Sequence, residues 1–433
     1  MTERLTPANG FTTDRRSLLL GAGVLGLAGC AGASGAGPAA AHRFAPVQAV
    51  LDRYVADGRL PGATVGVKLP DGNEVWLQAG TQDYGPSPAM NRDTLFRIYS
   101  MTKPVTGTAA ALLVEDGRLT LDQPVADIIP EFSRLTVAVD PANGLEARPA
   151  TQVMTIRHLL THTSGLTYNI MGDGAVQKAY RRAGIFPFTG DLGSEPGDGP
   201  KVHDLDEMVR RLGEIPLMFE PGADWHYSVS LDVLGLVIQR ASGMSFPDFL
   251  QRRLFDPTGM DDTMWSLGRG DARRFAALYD YAGGERKPAA GATTADYSAP
   301  VTLFAGGAGL ISSTRDYLAF MTMLLDGGRA GRVRVMKPET ARLVRTDILP
   351  AGLRPDWSPD DGFGFGGYVT APTKPNAGEY GWSGAAGTND WLDPTNNVAG
   401  VVMLQFFGAE IALVREVRAA IAQAMAIPTA AAA

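Results

Sequence analysis

Strand-forming segments lie near both ends of this chain with a long, mostly helical stretch between them, and that placement restricts the fold more than any other feature. Ala63 to Leu69 and Glu74 to Leu77 are β-branched or alternating runs joined by Pro70-Asp71-Gly72, which is hairpin chemistry. Tyr380 to Trp391 and Val398 to Phe407 return to strand composition, and Ile411 to Met425 has the periodicity of a terminal helix. A regular βαβ alternation would give a doubly wound parallel sheet. This order instead predicts an α/β (α+β) fold: an antiparallel sheet of N- and C-terminal strands flanked by helices, with a mostly helical region inserted at about 118–300.

The elements between are legible from their caps. Val47, Val50, Leu51, Tyr54 and Val55 fall at helical spacing before Gly58. Asp204 followed by Glu207 predicts a capping box, and Leu231, Leu234, Val237, Ile238 and Ala241 form one apolar face before Gly243. Thr314 and Asp316 open a helix running to Leu325. Two stretches, Ile185 to Val202 and Gly283 to Pro300, are rich in Gly, Pro, Ala and small polar residues. Loops of that length are functional lids or connectors, and the first is expected to be a lid.

The first forty residues follow a different logic. Arg15-Arg16 precede an uncharged run from Ser17 to Gly29 that is too short and glycine-rich for a spanning helix and fits an export signal. Asp14-Arg15-Arg16-Ser17-Leu18-Leu19 resembles a twin-arginine signal, and Leu27-Ala28-Gly29-Cys30 resembles a lipoprotein box in which Cys30 is acylated. Residues 1–30 are thus expected to be a signal segment, 31–43 a flexible tether and 44–427 a hydrolase domain. The protein is expected in the periplasm or cell envelope, touching membrane only through lipid on Cys30. Cleavage after Ala39-Ala40-Ala41 would release it instead. Cys30 is the sole cysteine, so no intramolecular disulfide can form. A net charge of −7 without a basic cluster gives nothing for nucleic acid to bind.

The chemistry centres on Ser100-Met101-Thr102-Lys103, which opens a helix ending at Gly117. Spacing of three places the hydroxyl and the amine on one face, one turn apart. A serine hydroxyl needs a neighbouring base, and lysine can supply one when desolvated. Amides at a helix N-terminus also favour developing negative charge. Tyr227, in Pro221-Gly222-Ala223-Asp224-Trp225-His226-Tyr227-Ser228, stands before the Leu231 helix. Downstream, Tyr380-Gly381-Trp382-Ser383-Gly384-Ala385 is a glycine-rich strand that allows close approach to a ligand.

Taken in order, Ser100-x-x-Lys103, the Leu159-Leu160-Thr161-His162-Thr163-Ser164-Gly165-Leu166 run, the Pro-Gly-x-x-Trp-x-Tyr-Ser block and Trp382-Ser383-Gly384 resemble the pattern of class C β-lactamases and family VIII carboxylesterases. The resemblance covers nearly the whole chain from Phe44. It implies that Ser100 is the nucleophile, that Lys103 and Tyr227 share the proton work, and that the N–H groups of Ser100 and Ala385 form an oxyanion hole. Trp382, Ser383 and Gly384 would line the substrate site, with neither metal nor cofactor. Two departures point from β-lactams to small-molecule esters. Tyr227-Ser228-Val229 stands where β-lactamases have Tyr-x-Asn, and Trp382 stands where they have the Lys of Lys-Thr-Gly, so an amide and a cation are both missing. The alternatives on the same fold are a D-amino-acid peptidase or amidase, a weak β-lactamase, and an acyl transferase. Gly381-Trp382-Ser383-Gly384 is half of a nucleophile elbow, but no histidine follows His226 to complete that triad. His158 and His162 lie four apart on an expected helix, with Leu159 where a His-Glu-x-x-His metalloprotease has Glu, so packing or capping is their expected role.

Overall fold

Seven antiparallel strands form the central sheet of the computed structural model, which describes residues 42–427 except 191–193, 195, 283–284, 356 and 408–410. The signal segment, Cys30 and the tether as far as Ala41 lie outside the described residues. Strands β1 (Gly62–Lys68) and β2 (Glu74–Gly80) make the expected hairpin, with Lys68 opposite Glu74 and the turn closed by Gly72 N–H donating to the Leu69 carbonyl at 2.9 Å. Strands β3 (Gly362–Phe363), β4 (Tyr368–Val369), β5 (Tyr380–Ser383), β6 (Asn389–Asp393) and β7 (Val398–Met403) come from the other end of the chain. The spatial order is β3-β4-β5-β6-β7-β1-β2, so the two ends meet where Thr64 pairs with Met403 and Val67 with Gly400.

Both faces of β1 are covered, and its alternation divides the core. Ala63, Val65 and Val67 pack with Val47, Leu51 and Tyr54 of helix α1 (Ala45–Ala56) and with Leu413, Val417 and Ile421 of the C-terminal helix Ile411–Met425. Arg43, at the end of the expected tether, donates from Nε to the Ala424 carbonyl at 2.9 Å, which ties the beginning of the domain to its last helix. Thr64 and Gly66 face the opposite way, onto the helix Thr314–Leu325. A Cβ on Gly66 would lie 2.8 Å from the Trp76 ring and 3.2 Å from both Leu318 and Thr314.

Beneath that second face runs α2 (Thr102–Glu115), buried from Thr102 to Leu113. A helix buried on every side belongs to a core, and this one is crossed so closely that a Cβ on Gly107 would sit 2.1 Å from the Phe365 carbonyl oxygen. Ser100 does not lie on α2 itself. It belongs to a 3₁₀ turn, Tyr99–Met101, that joins the short strand Leu95–Arg97 to the helix, and Tyr99 takes a positive φ of 41° to make the bend.

Between α2 and β3 the inserted region holds the helices Ala175–Arg182, Leu205–Leu212, α3 (Ser230–Ser242) and Phe246–Leu250, with Gly243 ending α3 at φ 73°. It also holds two hairpins, Thr136–Ala138 with Ala147–Pro149 and Tyr279–Ala282 with Glu285–Pro288. The second hairpin and the helix Thr294–Ser298, capped by Thr293, occupy much of the stretch read as a loop from Gly283 to Pro300. The Asp204 cap is present, its Oδ1 accepting Glu207 N–H at 2.8 Å. The reciprocal half goes one residue further back, because Glu207 Oε2 accepts His203 N–H at 2.8 Å while its other oxygen is held by Arg211. Residues 185–202 are fastened at their base, where Val202 N–H donates to the Gly184 carbonyl at 3.0 Å.

Candidate active site

Two of the predicted side chains, one from the next helical turn and one from far along the sequence, meet at Ser100. Lys103 Nζ lies 3.1 Å from Ser100 Oγ, and the Tyr227 hydroxyl lies 2.7 Å from the same atom. The 3₁₀ turn and the first turn of α2 set the first distance, and the chain entering α3 sets the second. Lys103 also donates to the Gly307 carbonyl at 2.7 Å, and its ammonium lies 4.5 Å from the Tyr227 ring centroid and 5.3 Å from that of Tyr168. Those are acceptors and π faces, the surroundings that a three-donor cation needs when buried.

The run from Leu159 to Leu166 supplies the wall behind Tyr227. His162 and Ser228 are joined at 3.1 Å, Ser228 and Ser230 at 2.8 Å, and Ser230 and Ser164 at 2.7 Å, so the segments carrying Tyr227 and Ser164-Gly165 are laced by hydroxyls. His162 Nδ1 accepts Ser228 N–H at 3.2 Å, which places its proton on Nε2. Burial first, then the charge of Lys103, holds this imidazole well below its usual pKa. It packs 4.7 Å from the Tyr227 ring as a neutral group. The expected helix through both histidines stops at Leu160, and His162 takes φ 58° beyond it. His158 caps that short helix, its Nδ1 accepting Thr155 N–H at 3.2 Å. The two residues therefore serve capping and packing roles at different places.

Strand β5 brings the third segment. Trp382 donates from Nε1 to the Tyr227 hydroxyl at 3.3 Å, so its indole belongs to the site rather than to the core. Ser383 is exposed, and its hydroxyl accepts from the Asn389 amide at 3.0 Å. It lies on an antiparallel strand, not at the strand-to-helix bend of a nucleophile elbow. Gly384 presses on the chain leading to Ser100: a Cβ there would sit 2.4 Å from the Ile98 carbonyl oxygen. Gly384 N–H donates to Thr388 and Gly387 N–H donates back to Gly384, a turn that carries Ala385 at its tip. Val229 is fully buried in the core, so the place of the β-lactamase asparagine is closed off as well as apolar.

Several residues of the site escaped the sequence reading. Asp232 is wholly buried on α3, its Oδ1 accepting Gly307 N–H at 2.8 Å and its Oδ2 accepting the Tyr168 hydroxyl at 3.3 Å. Burial pushes its pKa up to about 6 against the opposing charge of Lys103. The signal was present, since Asp232 is the sole charge in the apolar run from Val229 to Ile238, and Ala305-Gly306-Gly307-Ala308-Gly309 reads as a close-approach loop. Trp357 and Phe363 lie 5.4 and 5.2 Å from Trp382 between ring centroids, and Trp225 meets Trp357 at 4.6 Å, giving an aromatic flank. Phe188, from the 185–202 stretch, stacks on Tyr168 at 6.0 Å.

The model of the Beta-lactamase family matches residues 47–424, nearly all of the described chain. The chain belongs to the Beta-lactamase family. Within it, the chain is 35% identical over 378 residues to Protein Rv1367c of Mycobacterium tuberculosis (strain ATCC 25618 / H37Rv), covering 82% of this chain and 88% of that one. Esterase EstB of Burkholderia gladioli is 32% identical over 379 residues, again covering 82% and 88%. Among solved structures, EstCE1, described as a hydrolase with promiscuous acyltransferase activity, superposes with a TM-score of 0.74 at 25% identity, covering 88% of this chain and 98% of that one. In this Beta-lactamase-family chain Lys103 and Tyr227 both reach Ser100 Oγ, and the sheet joins the two ends of the chain as expected.

Proposed function

We propose that this protein is a serine esterase that cleaves short acyl esters through an acyl-Ser100 intermediate. The observation that carries the reading is the convergence of Lys103 Nζ and Tyr227 OH on Ser100 Oγ, in a site whose neighbouring histidine is buried and turned to Ser228. Ser100 Oγ attacks the ester carbonyl carbon as its proton passes to a phenolate oxygen at Tyr227, beside which the Lys103 ammonium is held by Gly307. The carbonyl oxygen becomes an oxyanion between the N–H groups of Ser100 and Ala385. Collapse breaks the C–O bond to the alcohol, which leaves with the proton from Tyr227, and water then repeats the steps in reverse to free the acid. An alcohol in the place of water would give acyl transfer by the same steps. EstCE1 is described as having both activities, and the indole and phenyl rings beside Tyr227 offer an apolar acceptor a surface.

Esters are favoured over β-lactams because Val229 and Trp382 remove an amide and a cation. The cation's missing charge-assisted bond is worth about 1.5–3 kcal/mol, or roughly one to two decades in specificity, and the amide's neutral bond about 0.5–1.5 kcal/mol more. In a panel of acyl esters graded by chain length, run beside a chromogenic cephalosporin, the best short ester is expected to exceed the cephalosporin in kcat/KM by at least roughly tenfold. Equal specificity constants would remove the ester assignment. Preferential cleavage of D-Ala-D-Ala peptides would replace it with a peptidase.

We also infer attachment to the cell envelope, on the strength of Arg15-Arg16 and the Leu27-Ala28-Gly29-Cys30 box. No helix among the described residues is long and apolar enough to cross a membrane. The attachment we infer is through acyl chains on Cys30. Replacing Cys30 by Ala should move the protein from the membrane to the soluble fraction. Wild-type protein found wholly in the soluble fraction would end the lipoprotein reading.

A further inference from the structure

We propose that Asp232 is a positioning residue for the reaction, holding Lys103 in place through Gly307. The inference rests on the esterase reading and extends it to a residue that touches none of the reacting atoms. Gly307 stands between the two side chains: its N–H is received by Asp232 Oδ1 at 2.8 Å, and its carbonyl receives Lys103 Nζ at 2.7 Å. Only glycine fits there, because a Cβ would lie 2.6 Å from both Asp232 Oδ2 and the Tyr168 hydroxyl.

A buried carboxylate with no direct ion pair is costly, and a position on an apolar helix gives no structural reason for one. What Asp232 does have is an electrostatic partner one residue away. Lys103 is the charge that opposes the effect of burial on it, and Tyr168 donates to its second oxygen. The attraction is mutual. The Asp232 carboxylate attracts the Lys103 side chain through Gly307, and a cation 4.5 Å from the Tyr227 ring stabilises a phenolate there as the proton acceptor for Ser100. The division of labour between the two proton-handling residues is thus set by a third group behind them. The other titratable groups facing this cluster are Tyr168, Tyr227 and the neutral His162.

The sign of the pH effect follows. Asp232 has a folded-state pKa raised to about 6, so it is ionised above that pH and neutral below. Activity should fall as pH drops through about 6, with the loss in kcat and little change in KM. The test compares wild type with Asp232→Asn, which keeps an acceptor for Gly307 N–H but removes the charge, and with Tyr168→Phe, which keeps the charge but removes a donor that favours it. Each is assayed across pH 4.5–9 on a short acyl ester and, independently, for the rate of labelling of Ser100 by a fluorophosphonate. Asp232→Asn is expected to lose roughly ten- to a hundredfold in kcat, with KM within about twofold, and to lose the acid limb. Tyr168→Phe is expected to shift that limb to higher pH. If Asp232→Asn fails to fold, Tyr168→Phe alone decides. An acid limb unmoved in Tyr168→Phe, or full activity with an intact limb in Asp232→Asn, overturns the proposal. Because labelling needs no ester, a pH-dependent labelling rate without ester turnover would sink the esterase reading and leave the role of Asp232 standing.

Discussion

Lys103→Ala and Tyr227→Phe should each lower kcat/KM on a short acyl ester by roughly a thousandfold, and the double variant should lose little more than either alone. The reason is geometric. Both side chains end on the same atom, Ser100 Oγ, at 3.1 and 2.7 Å, and the ammonium of one lies against the ring of the other. Without Lys103 a phenolate at Tyr227 has no cation beside it. Without the Tyr227 hydroxyl the ammonium has no base to stabilise. Groups that act as one unit give strongly non-additive losses. The measurement is a double-mutant cycle with Ser100→Ala as the floor. Losses that multiply to roughly a millionfold would show independent action. Near-wild-type activity in Tyr227→Phe would remove that residue from the mechanism, and fluorophosphonate labelling of Ser100→Ala would move the nucleophile elsewhere.

The second large effect is on stability. Gly107→Ala should destabilise the domain by about 3 kcal/mol, at the upper end for overpacking, although alanine is the better helix former by about 1 kcal/mol. The new methyl would lie 2.1 Å from a backbone oxygen, that of Phe365, and 3.1 Å from its Cβ. A flexible side chain could turn aside, but this neighbour is main chain leading into β4. Either α2 or the 363–366 segment must move. Gly366 at φ 80° lies with its Cα against Lys103, where a Cβ would meet the carbonyl oxygen at 2.5 Å, so the displacement would reach the catalytic lysine. Denaturant unfolding should show the lower midpoint, and kcat should fall with it. A midpoint equal to wild type would mean that the two segments are less closely pressed than described.

What could be read from the chain beforehand was whatever local chemistry decides. The hairpin turn at Pro70-Asp71-Gly72, the end of α3 at Gly243 and the start of the helix capped by Ser313, whose hydroxyl accepts Asp316 N–H, depend on a few adjacent residues. Ser100 and Lys103 were legible for the same reason, being one turn apart. Tyr227 and Trp382 were reached through resemblance, because nothing local says that residues 127 and 155 positions apart share a hydrogen bond. Asp232, Gly307, Trp357 and Phe363 were missed since their roles exist only across the fold. A lone aspartate in an apolar helix is ambiguous until its partner is known, and that partner is a backbone amide. The reading of Ser100 on a regular helix was displaced by a 3₁₀ turn, because the strand before it must change direction within a few residues.

The pairing of β1 with β7 has a consequence for how the molecule is made. Thr64 waits for Met403, so during synthesis the first hairpin stands with one edge of unpaired amides and carbonyls until almost the whole chain has emerged. At about 5–20 residues per second that interval is on the order of tens of seconds, far longer than a hairpin needs to form. Such an edge can pair with any other nascent strand it meets. Slow, late closure makes the nascent chain depend on whatever shields that edge, and makes loss of the final strand a defect of assembly for the entire domain rather than a local trimming.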